Sequence, residues 1–204
     1  FESIFGGGGF TQQPGGGFQG GRGSFAQPGQ NLEAAIGVTL YQAFHGEKVA
    51  VRVSDGRRLN VKIPAGVKDG QKIRLAGQGG EGSGGGKRGN LIIKISIKPD
   101  PNFKLNGKDI ELTLPIAPWE AALGAEVKVP TLSGTVQLKI PANSSAGKRM
   151  RIKGRGMPGK PAGNFYVRLE IATPPADSDE EQALYEQMRD TFKFEPRSSL
   201  NVSS

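Results

Sequence analysis

The stretch Lys148-Arg149-Met150-Arg151-Ile152-Lys153-Gly154-Arg155 has residue types and spacing suited to a charged ligand. Alternation along an extended strand would put Arg151, Lys153 and Arg155 on one face, a stripe of cations that suits phosphates. No aromatic residue is interleaved to stack on bases, so a solvated strand face is the plainer reading. A second set is aliphatic: Ala34, Ile36, Val49, Val51, Val53 and Ile93. Plain core accounts for most of these. The aliphatics exceed what one small core needs, and the excess points to an apolar groove.

Catalysis finds no candidates. His45 is the single histidine and has no acidic or thiol neighbour at ligand spacing, which favours a structural role. The chain has no cysteine, hence no disulfide, no thiolate metal site and no cysteine nucleophile. There is no Gly-x-Ser-x-Gly and no complete Walker loop. The Gly-rich run Gly77 to Gly89 carries Glu81, a carboxylate that would disfavour an anion. No two carboxylates form an acid/base couple. The expectation is a binding protein, not an enzyme, with no metal and no cofactor.

The elements that must position these residues come in duplicate. Val61 to Gly79 recurs as Leu138 to Gly156, with eight of nineteen positions identical: Lys62/Lys139, Ile63/Ile140, Pro64/Pro141, Ala65/Ala142, Gly70/Gly147, Arg74/Arg151, Gly77/Gly154 and Gly79/Gly156. The period is too long for a solenoid, whose repeats run about 20–50 residues, and suits a duplicated small domain. In each copy an alternating strand ends at Pro, a Gly turn follows, and a second alternating strand returns. Upstream, Val49, Val51 and Val53 alternate with polar or small residues, and Asp55-Gly56 marks a hairpin turn. Trp119 to Gly124 matches the short helical turn before Gly46, and Ser133-Gly134 matches Asp55-Gly56.

This spacing of short strands predicts an all-β fold: two tandem small antiparallel β-sandwich domains followed by a short C-terminal α-helix. Residues 1–30, with 11 Gly and five Phe, read as a flexible linker. The first domain spans 31–101, the second 102–175, the helix 176–195 and a tail 196–204. Ser178 and Glu181 read as a capping box. Leu184, Tyr185, Met188 and Phe192 share one helical face, which either packs on its own domain or pairs with another chain.

The net charge is +8. Residues 32–100 hold 12 Lys/Arg against 6 Asp/Glu, residues 104–172 hold 11 against 5, and the rest from 173 holds 3 against 7. Two basic modules thus precede an acidic tail, which serves solubility or attracts nucleic acid or an acidic peptide. No apolar run is long enough for a membrane helix, and FESIFGGGGF is not a signal peptide. The expected location is cytoplasmic. The missing initiator Met points to a fragment.

The Phe/Gly-rich lead, the run Val61 to Gly70, the loop Arg74 to Gly79, and the second copy through Lys153-Gly-Arg-Gly-Met-Pro158 resemble the C-terminal half of a DnaJ-family co-chaperone. The likeness covers residues 1–197 and is to the type B class, which includes curved-DNA-binding members. The zinc-binding class is excluded, since Val53 to Leu59 forms a tight turn where that class inserts Cys-rich repeats. The resemblance implies two β-sandwich domains, a groove lined by Ala34, Ile36, Val51, Val53 and Ile93 that holds unfolded client polypeptide, and a dimerisation helix that makes a homodimer. It also implies docking of the acidic C-terminal tail of a DnaK-type chaperone beside the groove, at Lys48, with Val49 where a Lys is often found. The family's His-Pro-Asp motif is absent from these residues, so the expected activity is client binding and delivery without ATPase stimulation. On this reading Ile36→Asp or Val51→Asp weakens client binding with the fold intact. The rival is binding of nucleic acid, in which Arg151, Lys153 and Arg155 would contact DNA.

Overall fold

A computed structural model describes residues 26–198. Most of the Gly/Phe-rich linker and the end of the tail lie outside the described residues. In chain order the elements are β1 (Leu32–Val38), α1 (Leu40–His45), β2 (Lys48–Arg52), β3 (Arg58–Lys62), β4 (Lys72–Leu75), β5 (Leu91–Ile97), β6 (Phe103–Asn106), β7 (Asp109–Ile116), α2 (Pro118–Leu123), β8 (Ala125–Thr131), β9 (Gly134–Ile140), β10 (Arg149–Ile152), β11 (Phe165–Ile171) and α3 (Asp179–Thr191).

The sequence repeat is a structural repeat. The first copy forms a sheet β1-β5-β4 and a hairpin β2-β3. The second forms β10-β11-β7-β6 and a hairpin β8-β9. The order β4-β5-β1 therefore reappears as β10-β11-β7, with β6 added at the edge. The fold is the expected all-β arrangement with a C-terminal helix. One pair inside it, β7 with β11, runs parallel. Long connections separate these two strands, as a parallel pair requires.

Alternation sets the layers. In β11, Phe165, Val167 and Leu169 are buried while Arg168 and Glu170 face solvent. Ile110 and Leu112 on β7 and Val129 and Ile140 on the β8-β9 hairpin complete that core. In the first copy Val38, Ile63, Val67, Ile93 and Ile95 are fully enclosed, and α1 contributes Leu40, Ala43 and Phe44. Helix α1 starts at Thr39, whose side chain accepts from the Gln42 N–H while the Gln42 side chain accepts from the Thr39 N–H. It stops at Gly46.

Contacts group the chain into two compact units, one holding residues 26–33 and 74–92, the other 34–73 and 93–198. In the smaller, residues 27–31 run along the Gly-rich loop: Gly29 N donates to Lys87 O at 2.8 Å, and Asn90 N to Asn31 Oδ1 at 2.7 Å. A Cβ on Gly89 would collide with the Gln30 carbonyl. In the larger unit, the equivalent Gly163 meets the Lys108 carbonyl in the same way. This close backbone approach is the physical reason for glycine at both places.

Candidate functional site

The β2-β3 register pairs Lys48 with Lys62, Val49 with Val61, Ala50 with Asn60, Val51 with Leu59 and Arg52 with Arg58. Ile63 N donates to Glu47 O at 2.8 Å and Val53 N to Arg57 O at 2.9 Å. Those two bonds set the alternation between them. Val49 and Val51 occupy hydrogen-bonded positions, and Lys48, Ala50 and Arg52 occupy the non-hydrogen-bonded ones. The N–H and C=O groups of Lys48, Ala50 and Arg52 thus point away from β3. The sheet has only two strands, so among the described residues no strand pairs along that side of β2. β1 is likewise an edge strand of its sheet.

Of the aliphatic set, Ile36 is 8% exposed, Val51 6%, Val53 3% and Ile93 0%, while Ala34 and Val49 are half-buried. Four of the six are therefore walls of the core, and Ala34 and Val49 offer surface. This burial corrects one expectation. An Asp at Ile36 or Val51 would bury a charge without a partner and cost the fold itself. Lys48 is exposed at the start of β2, next to the unpaired edge.

In the second copy β10 ends at Ile152, so of Arg151, Lys153 and Arg155 only Arg151 sits on a strand. All three are exposed, and Arg155 Nη1 donates to Ser133 Oγ at 3.0 Å. The register brings Arg151 opposite Tyr166 and Arg149 opposite Arg168. Glu111 on β7 lies between the latter two and accepts from Arg149 Nε at 2.8 Å and from Arg168 Nε at 3.1 Å. Burial alone would raise the Glu111 carboxyl. The hydrogen bonds and charge of Arg168 and Arg149 outweigh it and hold the group below its ordinary value. The Arg149 guanidinium also stacks over the Tyr166 ring, 3.5 Å from its centroid. The aromatic missing from the basic stretch is thus supplied by a different strand. Only cross-strand register shows it.

Helix α3 begins at the expected capping box: Glu181 N donates to Ser178 Oγ at 3.2 Å, and the Glu181 carboxylate accepts from the Ser178 and Asp177 N–H groups. Leu184 is 66% exposed, Met188 49% and Phe192, the C-cap residue, 62%. Tyr185 differs from these three. It is half-buried and donates its hydroxyl to Pro174 O at 2.8 Å, so it ties the helix to its own chain. Phe194, Trp119 and Leu123 are further exposed apolar side chains that periodicity did not single out.

Among the described residues no cluster of His, Asp and Glu has the makings of a metal site, and no helix is long and apolar enough to cross a membrane.

The family model described as DnaJ C terminal domain matches residues 32–174. The chain is 41% identical over 217 residues to the Curved DNA-binding protein of Coxiella burnetii, covering 98% of this chain and 66% of that protein. It is 40% identical over 212 residues to the Curved DNA-binding protein of Pseudomonas putida, covering 97% and 66%. With the protein of the same name from Serratia proteamaculans it shares 49% identity over 143 residues, 69% of this chain and 46% of that one. The chain thus spans about two thirds of the length of the first two relatives.

Proposed function

This chain belongs to the DnaJ C-terminal domain family, and on that premise we propose that it is a co-chaperone module that binds unfolded polypeptide by strand addition. The carrying observation is the unpaired side of β2. A client segment in extended form would hydrogen-bond to the backbone of Lys48, Ala50 and Arg52, and its alternate apolar side chains would lie against Val49 and Ala34. Ile36, Val51, Val53 and Ile93 form the rigid wall behind them. Main-chain bonding gives affinity for many sequences, which suits clients of varied identity. Ala50→Pro removes one donor on that side and tests the reading. Clients should bind the folded variant more weakly.

Two finer proposals accompany this one. Leu184, Met188 and Phe192 form a dimer contact that joins two modules and raises avidity for a single client. Lys48, at the end of the same side, receives the acidic tail of a DnaK-type chaperone, so that the client passes to it.

A second reading is binding of DNA. It is favoured by the names of the relatives and by the positive charge of both repeats. Phosphate binding would weaken steeply with salt, whereas capture of an apolar segment would not.

A further inference from the structure

We propose that the solvent face of the β2-β3 hairpin is the surface that seats the phosphate backbone of duplex DNA; this rests on the DNA-binding reading above. The observation is a pair of like-charge juxtapositions. Lys48 stands directly opposite Lys62, and Arg52 directly opposite Arg58. Both are non-hydrogen-bonded positions, where facing side chains come closest. Like charges so placed destabilise a sheet. None of the four makes an ion pair among the described residues. The nearby Asp55 is engaged by Arg57 at 2.6 Å, and Glu47 precedes the strand.

The molecule supplies its own control. In the second copy, the equivalent face of β8-β9 pairs Glu126 with Lys139 and Pro130 with Thr135. The fold therefore does not require four cations there. It also supplies a template for what such a pair needs. Arg149 and Arg168 are likewise directly opposed, and one carboxylate, Glu111, bridges them. At Lys48/Lys62 and Arg52/Arg58 the described residues provide no bridging anion, and the ligand would supply it. The two pairs lie four residues apart along β2, about 13 Å. Each asks for an anion with several oxygens. Phosphodiester oxygens fit both pairs, and Arg forks match phosphate well. A duplex carries one charge per about 1.7 Å of its axis, so a face of this length meets more than one phosphate.

The test is fluorescence anisotropy of a labelled DNA duplex at a series of salt concentrations. It compares the protein with the quadruple variant Lys48→Gln, Arg52→Gln, Arg58→Gln, Lys62→Gln, and with Arg151→Gln as a comparator. Four lost phosphate contacts should flatten the slope of log K against log salt by about 3 to 4 and weaken binding at least tenfold at low salt. Arg151→Gln should change the slope by less than one. The quadruple variant should melt at the same temperature as the parent or higher, because it sheds repulsion, and this separates lost binding from lost folding. A parent that binds no duplex overturns the DNA-binding reading and the proposal with it. A parent that binds, with a quadruple variant of equal slope, leaves that reading standing and overturns the face. Binding of a Glu-rich peptide through the four residues, with none of DNA, also overturns it and assigns the face to an acidic segment.

Discussion

His45 Nε2–H donates to the carbonyl oxygen of Leu132 across 2.9 Å and so ties α1 of the first repeat to the β8-β9 turn of the second. Beside it, Gly66 has φ 75° and sits so close to the Pro158 carbonyl that a Cβ would collide with it. The single histidine therefore has a structural task, holding one repeat against the next. The position equivalent to Gly66 in the second copy is Asn143, also at positive φ (57°), a conformation that Asn tolerates better than most residues.

Disruption of this joint should loosen the repeats. His45→Ala should cost about 1 kcal/mol, the value of one hydrogen bond. Gly66→Ala should cost more, about 2 kcal/mol, from φ strain and the collision. Hydrogen exchange should rise at residues 132–134 and at Met157 in both variants. Unchanged protection there would mean the contact carries no weight.

Acid should act through Glu111. Its carboxyl is depressed in the folded protein, so its stabilisation is complete above the ordinary carboxylate value and is lost as pH falls through the depressed one. Glu111→Gln should therefore lower the melting temperature at pH 7, by about 1 kcal/mol of stability for this partly exposed cluster. The difference from the parent should shrink as pH falls below the ordinary carboxylate value and through the depressed one. A constant difference across that range would contradict the assignment. Glu181, depressed by hydrogen bonds from the Ser178 and then the Asp177 N–H, should loosen the start of α3 in the same direction.

The α3 face gives a prediction in molar mass. Leu184→Asp with Met188→Asp should convert a dimer into a folded monomer by light scattering, with helix content kept because the Ser178/Glu181 box is untouched. Melting of each protomer should change by less than about 0.5 kcal/mol, since both side chains are exposed. An unchanged mass would remove the helix from the dimer contact.

Much of the fold was legible because its signals are local. The Val61/Leu138 repeat, the Asp55-Gly56 turn, the Gly46 stop and the Ser178 cap each act within a few residues. The candidate site was legible only in part, because it depends on register and depth. Alternation put Ile36, Val49, Val51 and Val53 on strands but could not tell that Ile36 and Val51 are walls while Val49 has surface. Tyr166 and Glu111 join Arg149 only through pairing with strands 15 or more residues away in sequence. The Lys48/Lys62 and Arg52/Arg58 juxtapositions are likewise a product of pairing. Tyr185 matched its neighbours in helical spacing, yet its hydroxyl turns it back to Pro174.

The most direct measurement is titration of Ala50→Pro with an extended apolar peptide. Ala50 sends its N–H away from β3, so the hairpin ladder keeps its bonds, and proline is accepted on an edge where the N–H faces solvent. The far-ultraviolet spectrum and melting temperature first confirm the fold. Peptide affinity should fall about tenfold, the loss of one main-chain bond and the register it sets. A folded Ala50→Pro protein that binds the peptide as tightly as the parent would contradict strand addition along β2.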